Sequence, residues 1–362
     1  KGLPGLLADI LPDKYGNALI NTWLTRQGRP TNSLNPVETL CFIGSRGMGA
    51  LEVEPAFPKA DDKATEIEIE SLIQVAEQIL SGRKDFAANV ASEEKALIDI
   101  LKIGSSAGGA RAKALITYNK STGDIKSGQT NAPKGFTHWI IKFDGVTDTQ
   151  FGSSSGYGRV EMAYYLMAKE AGITMTDSQL LEENGRAHFM TQRFDRLPDQ
   201  GKAHVQSLCA IRHFDFNEVT MYSYEQLFET MRFLGLPYPQ AEQLYRRMVF
   251  NVMGRNCDDH TKNFAFMMDK AGQWTLSPAF DVCHAYRPGS DWVSQHALSI
   301  NGKRTGITKS DLLSVANQMN VKKANSIIQE IAEVVSHWDK YAQQVGVEKV
   351  LQAGIGKTLQ II

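Results

Sequence analysis

Arg255-Asn256-Cys257-Asp258-Asp259-His260-Thr261-Lys262-Asn263 is the stretch on which the reading of this chain turns. It follows a helical apolar face, Leu244, Tyr245, Met248, Val249 and Val252, that stops near Gly254. It precedes the apolar run Phe264-Ala265-Phe266-Met267-Met268. Such a polar stretch can be a plain helix-to-strand turn held by Asp and Asn side chains. Asp258 and Asn263, however, stand five positions apart. An aspartate that orients and deprotonates a hydroxyl, followed at this distance by an asparagine that holds Mg²⁺, suits phosphoryl transfer.

Working outward, Asp281 ends the stretch Leu276-Ser277-Pro278-Ala279-Phe280-Asp281, 23 residues after Asp258. A second Mg²⁺ carboxylate belongs at about this place; the plainer reading is a helix cap. Upstream, Trp139-Ile140-Ile141-Lys142-Phe143 reads as a strand carrying one lysine. Lys142 can present a fixed point charge to phosphate oxygens, or it can simply guard a sheet edge. Further upstream lies Gly104-Ser105-Ser106-Ala107-Gly108-Gly109, followed by Ala110-Arg111-Ala112-Lys113. Small residues let backbone N–H groups approach an anion, with a nearby cation in support. This segment lacks the GxxxxGK[ST] spacing, and alone it is equally a flexible turn. Glycine-rich loop, strand lysine, Asp-x₄-Asn and a later Asp, in that order, are far more specific than any one of them.

Other chemistries fit less well. Cys257, His260, Cys283 and His284 lack the paired spacing of zinc ligands, and no GxSxG elbow is present. The four cysteines, Cys41, Cys209, Cys257 and Cys283, form no CxxC pair, which suits a reducing cytoplasm. With 39 Lys and Arg against 40 Asp and Glu, the net charge of -1 argues against a free-standing nucleic-acid binder. No apolar run reaches the roughly 18 residues of a membrane span, and no signal-peptide pattern opens the chain. A length of 362 residues suits two lobes.

The coarse elements agree with that division. The first 60 residues read as loop-rich, punctuated by Leu11-Pro12-Asp13, Gly16-Asn17 and Arg29-Pro30. Ile69, Leu72, Ile73, Ala76, Ile79 and Leu80 predict a helix ending by Gly82. Strands are predicted over 114–118, 137–143 and 188–194, with a helix around Glu161, Tyr164, Tyr165 and Ala168. Beyond about residue 207 helical faces dominate, including Tyr224, Leu227, Phe228, Met231 and Leu234. Ile327, Ile328, Ile331, Val334, Val335 and Trp338 form another.

With those residues in place, the chain resembles the HipA-type kinases, toxins of bacterial type II toxin–antitoxin modules. Leu11-Pro12-Asp13-Lys14-Tyr15-Gly16 resembles the family's LPDxxG segment, and Arg46-Gly47-Met48-Gly49-Ala50 its glycine turn. The run 105–113 resembles the phosphate loop, and Trp139-Ile140-Ile141-Lys142 the nucleotide-lysine strand. Gln192-Arg193-Phe194-Asp195-Arg196 is similar to ERFDR, with Gln192 in place of the glutamate. Asp258-Asp259-His260-Thr261-Lys262-Asn263 looks like the catalytic loop DxHxKN, and Ser277-Pro278-Ala279-Phe280-Asp281 the Mg²⁺ segment.

The resemblance implies an α+β, bilobal, protein-kinase-like fold: a mixed N-lobe over 1–206 and an all-helical C-lobe over 207–362. The chain starts close to LPD, so the family's first small subdomain is expected to be absent, either lost or a separate polypeptide. The implied activity is ATP- and Mg²⁺-dependent Ser/Thr protein phosphorylation, directed in the family at translation components such as aminoacyl-tRNA synthetases. A helix-turn-helix antitoxin is the implied partner, and DNA is reached through it. The rival reading is a catalytically weak co-repressor working with that antitoxin. Asp258 is expected to orient the acceptor hydroxyl, with Lys262 beside it, and Asn263 and Asp281 to hold Mg²⁺. Nucleotide contacts are expected from Ser105, Ser106, Ala107, Gly108, Gly109, Lys142 and His260. The hinge 204–209 supplies Gln206 and Leu208 as adenine contacts. Glu161 reads either as a partner for Lys142 or as a first-turn helix acid. Ser106, or its neighbour Ser105, is the expected site of inactivating autophosphorylation.

Overall fold

A computed structural model describes residues 2–57, 64–80, 91–105, 109, 111–128, 131–148, 152–199 and 201–362. The chain divides into two compact units, residues 1–158 with 177–204, and residues 159–176 with 205–362. The sequence suggested a single cut after residue 206. The excursion 159–176 groups instead with the second unit, because its helix carries buried residues that pack there.

The first unit opens with helices rather than the expected loops: α1 (Gly5–Ala8), α2 (Lys14–Arg26) and α3 (Pro36–Ile43). In α2 the residues Tyr15, Leu19, Ile20 and Leu24 are buried at helical spacing. Gly16, which read as a turn signal, is there because a Cβ would collide with the Ser105 carbonyl. The start of α3 is a capping box. Asn35 Oδ1 accepts from Val37 N and Glu38 N, Glu38 Oε2 accepts from Asn35 N, and Pro36 occupies the first turn. Polar and Pro signals that mark loops mark helix starts equally well.

Helices α4 (Ile69–Leu80) and α5 (Ala91–Gly104) follow. Strands β1 (Lys113–Tyr118), β2 (Ile125–Ser127) and β3 (Thr137–Lys142) come next, with the short pair β4 (Thr147–Asp148) and β5 (Gly152–Ser153). After the excursion, β6 (Ser178–Glu183) and β7 (Arg186–Gln192) complete an antiparallel sheet of order β2-β1-β3-β7-β6. Apolar residues of α2, α4 and α5, such as Tyr15, Leu72, Ile73 and Ile100, form one core with Ile116, Trp139 and Ile141 of the sheet. The β1–β3 register sets Lys113 opposite Lys142 and Ile116 opposite Trp139.

Just past β7 sits a buried polar staple. Asp195 accepts two bonds from Arg193, at 2.8 and 2.7 Å, one from Arg196 at 2.9 Å and one from Gly49 N at 2.7 Å. Arg196 also donates to the carbonyls of Gly47 and Gly49. Two motifs nearly 150 residues apart in sequence, the glycine turn and the QRFDR segment, thus meet at one carboxylate. Arg193 and Arg196 more than offset the loss of hydration, and they hold Asp195 well below the usual carboxylate range.

The second unit contains α6 (Tyr157–Glu170), α7 (Leu208–Arg212), α8 (Tyr224–Phe233) and α9 (Tyr238–Met253). It continues with α10 (Lys309–Met319), α11 (Ala324–Ser336), α12 (Trp338–Gln344) and α13 (Lys349–Gly356). Trp338, read as the end of a helical face, opens α12 instead. Helices were expected alone, but two small sheets are added. Strands β8 (His204–Ser207), β10 (Ala265–Met268) and β11 (Trp274–Leu276) form one, in the order β11-β10-β8. Strand β9 (Tyr222–Ser223) pairs in parallel with β12 (Leu298–Ser299) in the other. Helix α9 is the spine: every residue from Arg247 to Met253 is buried. Tyr164 of α6 packs edge-on against Phe250 of α9 and Trp338 of α12, and its hydroxyl donates to the Gly254 carbonyl. Among the described residues, no helix is long and apolar enough to cross a membrane.

Candidate active site

The end of α9 delivers the decisive loop. After Gly254, Arg255 turns the backbone at φ 55°, with its guanidinium 3.6 Å from the centre of the Tyr286 ring. The chain then pairs with residue 285: Cys257 N donates to Ala285 O, and Ala285 N to Arg255 O. Pinned this way, the consecutive residues Asp258 and Asp259 have different surroundings.

Asp259 is buried. It accepts from Tyr224 Oη at 2.8 Å, His296 Nδ1 at 2.9 Å and Ala297 N at 2.8 Å. Tyr224 in turn accepts from Asn251 Nδ2, and Asn251 Oδ1 accepts from Asn256 Nδ2. Burial alone disfavours a charged His296 ring, but the Asp259 carboxylate overrides it and raises the ring to about 10. This network fixes the loop between α8, α9 and the segment before β12.

Asp258 keeps 39% of its side chain exposed. Its Oδ1 accepts from Trp292 Nε1 at 2.6 Å and lies 3.6 Å from His260 Nε2. Lost hydration raises its pKa. His260 and Trp292 pull the other way, and the carboxylates of Asp281 and Asp259 raise it further. A carboxylate held toward the neutral form is suited to exchange a proton. His260 Nδ1 accepts from Lys262 N, which leaves the ring proton on Nε2, toward Asp258. Asn263 Nδ2 donates to the Asp258 carbonyl at 2.7 Å, closing the loop across its own five-residue spacing. Lys262 Nζ lies 5.1 Å from the centre of the Phe216 ring.

Asp281 follows β11 on a segment tied down at Ser277 and Ala279. Ser277 N donates to Ala265 O, the buried Arg247 donates to Ser277 O, and Ala279 N donates to Thr174 O. Asp281 itself has φ 51°, the left-handed region that a β-carbon disfavours. Strain of this kind in a non-glycine residue gathers at working sites. Asn256, Asn263, Phe280 and Asp281 line one pocket with Arg247 and Asp259. In that pocket Asn256 Oδ1 is buried without a hydrogen-bond partner. The donor set there is hard oxygen, of the kind magnesium takes. Among the described residues no three His, Cys, Asp or Glu side chains cluster as a cage. Magnesium commonly binds through one or two carboxylates completed by water and phosphate.

The remaining expected nucleotide residues fall in the first unit or at the start of the second. Ser106, Ala107 and Gly108 lie outside the described residues. Ser105 is buried at the end of α5, with its Oγ lacking a hydrogen-bond partner. Gly109 N donates to Asp13 Oδ2 at 2.7 Å, and a Cβ on Gly109 would meet Lys113 Nζ. The Leu-Pro-Asp-x-x-Gly segment thus contacts both ends of the glycine-rich stretch, Gly16 at Ser105 and Asp13 at Gly109. Lys142 ends β3 directly opposite Lys113, so both lysines lie at one end of the sheet on one face. Lys142 Nζ lies 5.8 Å from the centre of the Phe189 ring. Glu161 is buried in α6. Gln206 is half-buried in β8. Leu208 is wholly buried, and its N–H donates to Phe264 O.

Sequence reasoning brought together Asp258, Asn263 and Asp281, and it missed Asn256, Trp292 and the network around Asp259. Asn256 lay within the quoted loop. Trp292 is 34 residues from Asp258, and no spacing rule could have joined them.

Residues 1–54 match the HipA N-terminal domain. A relative from Sinorhizobium fredii named "Putative kinase Y4dM" is 25% identical over 221 residues, 56% of this chain and 51% of the relative. The chain therefore spans about half the length of that relative. A solved complex of HipA, HipB and operator DNA from Shewanella oneidensis MR-1 contains a chain with the same fold. The match has a TM-score of 0.68 at 18% identity, over 98% of this chain and 82% of that one. The proinflammatory kinase CtkA of Helicobacter pylori aligns at a TM-score of 0.37 and 12% identity, over 60% of this chain and 92% of that one. Residues 105–338, well over half of the chain, match the HipA-like C-terminal domain, and the chain belongs to the HipA family.

Proposed function

We propose that this protein is an ATP- and Mg²⁺-dependent Ser/Thr protein kinase that acts as the toxin of a toxin–antitoxin pair. The observation that supports the reading is that Asn263 and Asp281 line one pocket, with the Asp258 carboxylate close enough to Asp281 to be raised by it. Asp258 takes the proton of the acceptor hydroxyl as that oxygen bonds the γ-phosphorus and the bond to the departing ADP breaks. Asn263 Oδ1 and the Asp281 carboxylate hold the metal, whose charge offsets that of the phosphates. Lys142 pairs with the α- and β-phosphates, and the backbone of 105–109 covers them. His260 fixes the loop, and Lys262 supplies a cation near the transferring group.

The acceptor is a protein hydroxyl, with a translation component such as an aminoacyl-tRNA synthetase as the substrate class. Phosphorylation of Ser106 or Ser105 would add about −1.5 to −2 charges to the phosphate loop and switch the enzyme off. The partner is a helix-turn-helix antitoxin that carries the DNA affinity, as the HipA–HipB–DNA complex of the Shewanella relative suggests by analogy. The test is to incubate the protein with Mg²⁺, γ-labelled ATP and a bacterial lysate, then identify the labelled bands by mass spectrometry. A labelled protein substrate is expected. Absence of any label, with operator binding alongside an antitoxin retained, would favour the co-repressor reading.

A further inference from the structure

We propose that Trp292 is a positioning residue for Asp258, fixing which carboxylate oxygen faces the acceptor hydroxyl. The proposal rests on the kinase reading above and adds a residue to it. The indole N–H is a donor only, so its 2.6 Å contact with Oδ1 has one polarity. That length is short for an N–H donor, in the direction expected when the acceptor is an ionised carboxylate. His260 Nε2 faces the same oxygen at 3.6 Å. Trp292 therefore holds Oδ1 with His260 beside it, and Oδ2 is left as the oxygen to face an incoming hydroxyl.

This matters because the terminal torsion of an aspartate is broad and two-fold. A carboxylate free to turn would offer the acceptor a changing lone pair. Orientation of a reacting group is itself a large part of a rate enhancement. The ring is held for this task. It stands edge-on to His260, with centroids 5.8 Å apart, and His260 packs against Phe216 at 5.7 Å. Ser290 Oγ accepts from the backbone N–H groups of Trp292 and Val293, and Arg287 N donates to Val293 O. A tryptophan kept only for packing needs the ring and not the N–H. Phenylalanine keeps an aromatic ring and removes the N–H, and the nucleotide affinity reports any loss of packing.

The experiment compares the full chain with Trp292→Phe and Asp258→Asn. The rate of label transfer from γ-labelled ATP into lysate protein is followed against ATP concentration, and Mg²⁺–ADP binding is measured by calorimetry. For Trp292→Phe the maximal rate should fall roughly 10- to 100-fold, the scale of misorienting one reacting group. Half-saturating ATP and Mg²⁺–ADP affinity should stay within about twofold of the unaltered chain, which also reports a folded protein. A maximal rate within twofold of the unaltered chain would overturn the proposal. So would a defect confined to half-saturating ATP. If the unaltered chain transfers no label, or Asp258→Asn transfers it equally well, the kinase reading fails and this proposal falls with it. If the unaltered chain is active, Asp258→Asn is dead and Trp292→Phe is normal, only the role of Trp292 is refuted.

Discussion

Each unit holds a buried aspartate in a polar network, Asp195 in the first and Asp259 in the second, and the two are solvated in opposite ways. Asp195 in the first unit is held by two guanidinium groups and one backbone N–H. Asp259 in the second is held by a phenol, an imidazole and one backbone N–H. The arginines are permanent cations. The imidazole is a cation only because Asp259 makes it one. The Asp195 staple joins distant pieces of chain within the first unit. The Asp259 network lies one residue from Asp258, so in the second unit the buried carboxylate anchors the loop that carries the candidate base.

The largest effect should separate the two neighbours in the second unit. Asp258→Asn should lower phosphotransfer by about 10³-fold or more, the scale of losing a key catalytic group. Its melting temperature should stay close to that of the unaltered chain, because Asp258 is partly exposed. Calorimetric unfolding beside the label-transfer rate tests this. A variant that melts early would make Asp258 structural, like its neighbour.

Next comes the staple of the first unit. Asp195→Asn leaves Arg193 and Arg196 buried without their anion, which should cost about 3–5 kcal/mol. Urea unfolding measures it. A loss below 1 kcal/mol, about the worth of an exposed pair, would mean the staple is not holding the glycine turn.

The pH dependence should then divide the units. In the first, burial and nearby arginines lower His138 to about 4, and burial with Arg186 lowers His188 to about 4. Asp195 is lowered as well. Each folded-state value lies below the unfolded one. Their stabilisation is therefore complete above the unfolded pKa and is lost as pH falls, from about 6.5 for the histidines and from about 3.9 for the aspartate. His296 runs the other way. Raised to about 10, it stabilises fully below about 6.5, and that contribution fades as pH rises through 10. The second unit has acid-sensitive groups of its own in His284, lowered to about 4 by burial and Arg255, and in Asp311 and Glu330, lowered by hydrogen bonds from Lys303 and Arg246. Hydrogen exchange, corrected for its intrinsic pH dependence, should show 186–196 opening first in acid and 257–297 first in alkali. The reverse order would break the comparison.

The smallest effect is a control. Lys120 and Asp177 pair at 2.8 Å on the first unit's surface, with side chains 50% and 64% exposed. Lys120→Ala should change stability by less than about 1 kcal/mol, since solvent screens such pairs. A larger change would mean that surface charge, and not the buried staple, governs the first unit.

What could be read in advance followed a physical rule. Helices α4, α8, α9 and α11 and strands β1 and β3 announced themselves, because long apolar faces repeat at the period of their element. Helices α2 and α3 did not. Gly16 and Asn35-Pro36 carry the same chemistry in a helix contact or cap as in a turn, and only neighbours decide between them. The small sheets of the second unit were missed because two- to four-residue strands carry almost no periodicity.

The sequence by itself determined the order of the candidate groups: glycine-rich segment, Lys142, Asp258, Asn263 and Asp281. Spacing within one loop constrains geometry directly, as the bond from Asn263 to the Asp258 carbonyl illustrates. The tertiary structure alone decided which of two adjacent aspartates faces inward, and that Trp292 reaches Asp258. It also decided that Asp13 and Gly16 meet the two ends of the glycine-rich segment. Those choices depend on burial and on contacts between residues far apart in the chain. A hydrogen bond across 34 or 96 residues leaves no local pattern to read.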